Sequence, residues 1–175
     1  QTRGAQHLSP GRLRQNQRGL APGAGLLPIV RSPRLRYPAA RRHRLGNAVF
    51  YIVESSKSFY EANLDLGPVV ERLGFVIVHR QDIGETLQRR GIEFDEDCQV
   101  HEVINYRYAA DLLAIDMRLG LTLPWRIAVY TENGVTRIGL IRPPALLAAL
   151  GENPEAARLA AEIEAKLIMI VDETR

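Results

Sequence analysis

The chain has 175 residues, 46% of them hydrophobic and 25% charged, which is the composition of a globular protein with one sizeable core and an appendage. No apolar run is long enough for a membrane-spanning helix, and the single cysteine, Cys98, excludes an intramolecular disulfide and the structural zinc sites that need two or four thiolates. The formal charge of +3 sums unlike parts: residues 1–45 hold ten arginines and no Asp, Glu or Lys, leaving 13 basic against 20 acidic residues in 46–175, a charge of −7.

Residues 1–45 are rich in Arg, Pro and Gly, and Pro10, Pro22, Pro28, Pro33 and Pro38 recur too often for a helix or a central strand. They are expected to be a disordered extension, with a single domain over 46–175. Leu20–Val30 follows Arg12, Arg14 and Arg18 in the order of a secretory signal, but Pro22, Gly23, Gly25 and Pro28 interrupt it. Ten arginines would attract nucleic acid by counterion release. Only Tyr37 supplies a stacking surface, however, and the acidic domain repels phosphate, so a processed or non-functional extension is favoured over a nucleic-acid partner. The expected compartment is the cytoplasm, although a lone cysteine is equally compatible with export.

From Asn47 onward, short apolar runs alternate with turn residues. Ala48–Glu54 reads as a strand. Ser58-Phe59-Tyr60-Glu61 has capping-box spacing and opens a helix towards Leu73, which Gly67-Pro68 is expected to kink or break. Gly74 stops it, Phe75–His79 reads as a second strand, and Ile83–Arg90 as a short helix ended by Gly91. A third strand over Gln99–Asn105 and a helix over Tyr106–Ile115 follow.

The strongest local signal is Asn133-Gly134 between Arg126–Thr131 and Thr136–Arg142, the favoured two-residue hairpin loop. Counting outward pairs Val129 with Ile138 and Ile127 with Leu140 on one apolar face. The other face then holds Tyr130 with Arg137, Ala128 with Gly139, and Arg126 with Ile141. Asn153 caps a last helix with Pro154 at its first position, and Ala156, Leu159, Ala160, Ile163, Leu167, Ile170 and Val171 form its apolar stripe. The predicted class is α+β: a largely antiparallel sheet with helices packed on one face and a long C-terminal helix.

Phe50-Tyr51-Ile52-Val53, Ser58-Phe59 with Glu61, Leu73-Gly74-Phe75, Asp82-Ile83 with Glu85, Glu102-Val103-Ile104-Asn105, Ala109-Ala110, and Gly120-Leu121 to Tyr130 form an ordered series of short stretches. That series resembles the bacterial and archaeal family known as domain of unknown function 302. The likeness covers roughly residues 47–172. It implies a small α+β domain that pairs as a homodimer and has no settled activity. Many members look like Glu-Ile-Cys-Asn-Pro and Leu-Pro-Cys-Arg where this chain has Ile104 and Trp125 in place of cysteine. Thiol or metal chemistry through those cysteines therefore does not carry over.

Sites weigh as follows. His101-Glu102 opens a zinc-protease pattern, but position 105 is Asn and the segment reads as a strand, where residues four apart do not form the helical ligand pair. The carboxylates of Glu93, Asp95, Glu96 and Asp97 lack the EF-hand spacing and read as a solvated turn. Those same acids, standing before Cys98, are expected to raise its thiol pKa. No metal or cofactor is expected.

The favoured site is the hairpin face with Arg126, Tyr130 and Arg137, where the small pair Ala128 and Gly139 is expected to leave space for another molecule. Asn105 is included as a further ligand contact. The leading expectation is a non-enzymatic homodimeric module that binds a protein partner or a small, anionic ligand. The alternative is an enzyme whose acid–base groups come from His79, His101, Glu102 and Asn105, provided that these converge.

Overall fold

The computed structural model describes residues 49–175; the extension expected over residues 1–45 lies outside them. In chain order the elements are β1 (Phe50–Glu54), α1 (Phe59–Arg72), β2 (Val76–Asp82), α2 (Ile83–Arg89), β3 (Cys98–Ile104), α3 (Tyr106–Ile115), a 3-10 helix (Met117–Thr122), β4 (Trp125–Glu132), β5 (Val135–Ile141), α4 (Pro143–Ala148) and α5 (Pro154–Thr174). The strands form one five-stranded sheet in the order β1-β5-β4-β3-β2, every neighbouring pair antiparallel. This is the α+β architecture that the sequence predicts, long C-terminal helix included.

The hairpin register is the predicted one, with Glu132 opposite Val135, Val129 opposite Ile138 and Ile127 opposite Leu140. Asn133 and Gly134 both have positive φ, 53° and 76°, as a two-residue loop matching the twist of the strands requires. Ile127, Val129, Ile138 and Leu140 face the helices and are buried. They join Ala62, Leu66 and Val70 of α1 and the predicted apolar stripe of α5 in one core. Trp125 lies in the same core with its ring edge-on to Phe75, centroids 6.0 Å apart.

The caps follow the sequence signals. Ser58 Oγ accepts from the Glu61 N–H at 3.2 Å while Glu61 accepts from the Ser58 N–H at 2.9 Å, which closes the capping box. Asn153 Oδ1 accepts from the Ala156 N–H at 2.9 Å.

Three expectations need correction. α1 runs through Gly67-Pro68 without interruption. The proline removes the backbone bond to the carbonyl of Leu64, but Leu64 is 57% exposed, on the solvent side of the helix where such a loss costs least, and the helix continues. β2 extends past His79 to Asp82, whose carboxylate accepts from the Glu85 N–H at 2.8 Å and starts α2. As an edge strand it carries no two-sided apolar signal to show its length. Finally, the 3-10 helix and α4 were not among the predicted elements. Pro143 and Pro144 occupy the first positions of α4, where their missing N–H groups cost nothing.

Candidate functional site

Side chains on one face of the sheet form the core, and α1, α3 and α5 cover them. Among the described residues, no helix lies over the centre of the opposite face. Directly paired residues point the same way, so the registers set out this open face as three rows. The middle row runs Ile52, Gly139, Ala128, Val100 and Gln81. On one side lie Glu54, Arg137, Tyr130 and Cys98; on the other lie Phe50, Ile141, Arg126, Glu102 and His79. Arg126, Tyr130 and Arg137 thus share a face, as the hairpin count predicts. An apolar stripe separates two rows that carry charge.

The charges are compensated within the face. Arg137 Nη2 donates to Glu54 Oε1 at 3.1 Å, and its Nε lies 3.2 Å from Glu132 Oε2 as an ion pair without hydrogen-bond alignment. Arg126 Nε donates to Glu102 Oε1 at 3.3 Å from a well-exposed side chain. Arg126 stands four residues from Tyr130 along β4, about 13 Å, so the two arginines serve separate ends of the face. Burial pushes the Tyr130 phenol up, with Arg137 opposing and Glu132 and Cys98 reinforcing the shift.

Two features of this face differ from expectation. The space above Gly139 is filled: a Cβ there would lie 2.8 Å from Ile52 Cγ1 and 3.1 Å from the Tyr51 carbonyl oxygen. The gap that the small pair was expected to leave is closed by the neighbouring strand β1. The Cys98 thiol is raised as predicted, but burial is the main cause and Asp82 the secondary one, not the acidic turn before it.

Asn105 is taken up by local structure. Its Oδ1 accepts from the N–H groups of Arg107 and Tyr108 at 3.0 and 3.1 Å, capping α3, and its Nδ2 donates to the Gly74 carbonyl at 2.7 Å. Both ends of the amide are engaged.

The acid–base alternative does not converge. His79 is paired with Glu102 and His101 with Arg80, so the two histidines occupy opposite faces of the sheet. His101 is fully buried against α1, where Nε2 donates to Asn63 Oδ1 at 2.6 Å. The Asn63 amide is oriented by its own bond, Nδ2 donating to the Phe59 carbonyl at 2.8 Å. Burial, reinforced by the Arg80 charge, holds His101 down at about 4, and it is neutral at pH 7. Among the described residues its Nδ1 has no hydrogen-bond partner. The only sequence sign of this pair is Asn63 itself, a poor helix former in mid-helix.

Among the described residues no group of three or more His, Cys, Asp or Glu side chains gathers as a metal site, and no helix is long and apolar enough to cross a membrane. A cavity of about 400 Å³ opens on the helical side between α3, the 3-10 helix, α4 and the start of α5, lined by Ile115, Leu119, Leu147, Leu150 and Ala156 among others. It holds none of the candidate site residues Arg126, Tyr130, Arg137 and Asn105, and none of His79, His101 and Glu102. Its Asp116 and Arg118 pair with each other at 2.6 Å.

With this geometry established, the likeness to known proteins is specific. The model of the family described as "Domain of unknown function DUF302" matches residues 51–174, from β1 to the last turn of α5. The chain belongs to the DUF302 family. A crystal structure described as an uncharacterized conserved DUF302 protein from Bacillus stearothermophilus superposes with a TM-score of 0.69 at 31% identity. The match covers 72% of this chain and 98% of that one. No curated protein matches. The DUF302 match therefore spans both the covered and the open face of the sheet, and it carries no activity with it.

Proposed function

We propose that this DUF302 domain is a non-enzymatic binding module, homodimeric, that receives a protein partner or small ligand on the open sheet face carrying Arg126, Tyr130 and Arg137. The observation that carries the reading is the common face of these three residues across an apolar stripe that no helix covers among the described residues. Because each arginine already holds a carboxylate, a free small anion would have to compete with Glu54, Glu132 and Glu102. An extended partner that combines apolar and charged groups matches the three rows better. Asn105, fully engaged at the α3 cap, has no part in this version of the site.

An anionic aromatic dye, anilinonaphthalene sulfonate, is a suitable probe because it presents both chemistries. Arg126→Ala and Arg137→Ala are expected to weaken its binding by about fivefold each, the scale of one partly exposed charge contact. Their unfolding curves should stay near wild type. Unchanged dye affinity and unchanged mass in sedimentation for both variants would sink the proposal.

A further inference from the structure

The two edges of the sheet are built differently. β2 is interrupted by a bulge between Ile77 and His79 and presents His79, Arg80, Gln81 and Asp82, the devices by which natural sheets prevent strand addition. β1 is a regular strand, Phe-Tyr-Ile-Val-Glu, with no bulge, proline or lysine. Its Phe50 and Ile52 are 45% and 48% exposed.

The bonding phase of β1 shows what its edge offers. Arg142 N–H donates to the Val49 carbonyl at 2.8 Å and Ser55 N–H to the Thr136 carbonyl at 2.9 Å. Bonded and non-bonded pairs alternate along an antiparallel ladder, so Tyr51 and Val53 bond to β5 opposite Leu140 and Ile138. Phe50, Ile52 and Glu54 therefore turn their N–H and C=O groups outward.

We infer that β1 is the seam of a homodimer, in which two copies pair antiparallel through β1 about a two-fold axis at Ile52. In that register Ile52 faces its counterpart and Phe50 faces the partner's Glu54. These are bonded pairs, so every outward N–H and C=O of the three residues finds a partner. No like charges stand opposite each other, and the two Ile52 side chains meet across the seam. The symmetry puts both helical layers on one side and joins the two open faces into one continuous surface. The inference rests on the homodimer part of the reading above but not on what the open face binds.

The test uses the full chain. Sedimentation across a dilution series should give a monomer–dimer equilibrium, and hydrogen exchange in the peptide 50–54 should slow as the dimer forms. Ile52→Pro removes an N–H that has no partner among the described residues of the protomer, so it should leave the monomer folded by circular dichroism and weaken the dimer about tenfold or more. Ile52→Lys places two like charges opposite each other, and dissociation of the dimer is expected there too, so the test survives if the proline variant fails to fold. A wild-type chain that is monomeric at every concentration overturns both the seam and the homodimer. A dimer indifferent to both substitutions overturns the seam alone. Protection of 50–54 that does not change on dilution means another segment or partner covers the edge, which also overturns it.

Discussion

His79 and His101 are the same residue on paired strands of the same sheet, and the two faces they occupy treat them differently. On the open face, His79 sits opposite Glu102 in a row of charged groups that water can reach. On the covered face, His101 is sealed beneath α1 with Asn63 as its bonding partner. The lesson is that position along an alternating strand, not residue type, decides whether a polar group is tolerated cheaply or at a cost.

The contrast is most easily broken by truncation. Ile163→Ala on α5, fully buried, should cost about 2–5 kcal/mol in denaturant unfolding. Val100→Ala in the middle of the open face should cost well under half of that. Similar losses at both sites would mean that the open face is covered in the free protein.

Acid titration sharpens it next. His101 stays neutral in the folded chain down to about pH 4, whereas in the unfolded chain it takes its proton near 6.5. Above 6.5 its contribution is fully present; as pH falls from there towards 4 the unfolded state gains a proton that the folded state refuses, and about 3 kcal/mol is lost. His101→Gln should flatten the stability profile in this window. Glu61 and Asp116, held low chiefly by bonds from Ser58 and Arg118, act in the more acid range below their ordinary pKa values of 4.5 and 3.8. A profile that is flat from pH 6.5 to 4 in the wild type would refute the buried neutral imidazole.

The smallest expected effect lies where the open face is tightest. Gly139→Ala should destabilise by about 1–3 kcal/mol because the new methyl meets Ile52 Cγ1 and the Tyr51 carbonyl. Ile52→Ala removes one of those obstacles, so a double-mutant cycle should recover part of the loss. Additive losses would place the strain entirely on the Tyr51 backbone.

Much of this was written in short-range sequence. Asn133-Gly134 set the hairpin register, Ser58 with Glu61 and Asn153 with Pro154 marked helix starts, and the α5 stripe named its own buried residues. What escaped depended on partners distant in the chain. That Ile52 fills the space over Gly139, and that Glu54 holds Arg137, follows only once β1 is placed beside β5. Nothing local to either strand specifies that neighbour. The same holds for Asn63 and His101, whose meeting requires α1 to lie across β3.

The placement of β1 has a further consequence for the order of synthesis. Its strand partner, β5, ends at Ile141, and the Tyr51 hydroxyl donates at 2.9 Å to Asp172, which is 121 residues later in the chain. Lys57, just after β1, donates to the Thr174 carbonyl at 2.7 Å. Among the described strands, the first to be synthesised is therefore the one whose bonding partner and roof come latest in the chain. Pairings of such long reach slow folding, and a nascent chain carries Phe50-Tyr51-Ile52-Val53 uncovered until Asp172 and Thr174 have emerged. Among the described strands, this one gives chaperones that bind short apolar segments their longest opportunity.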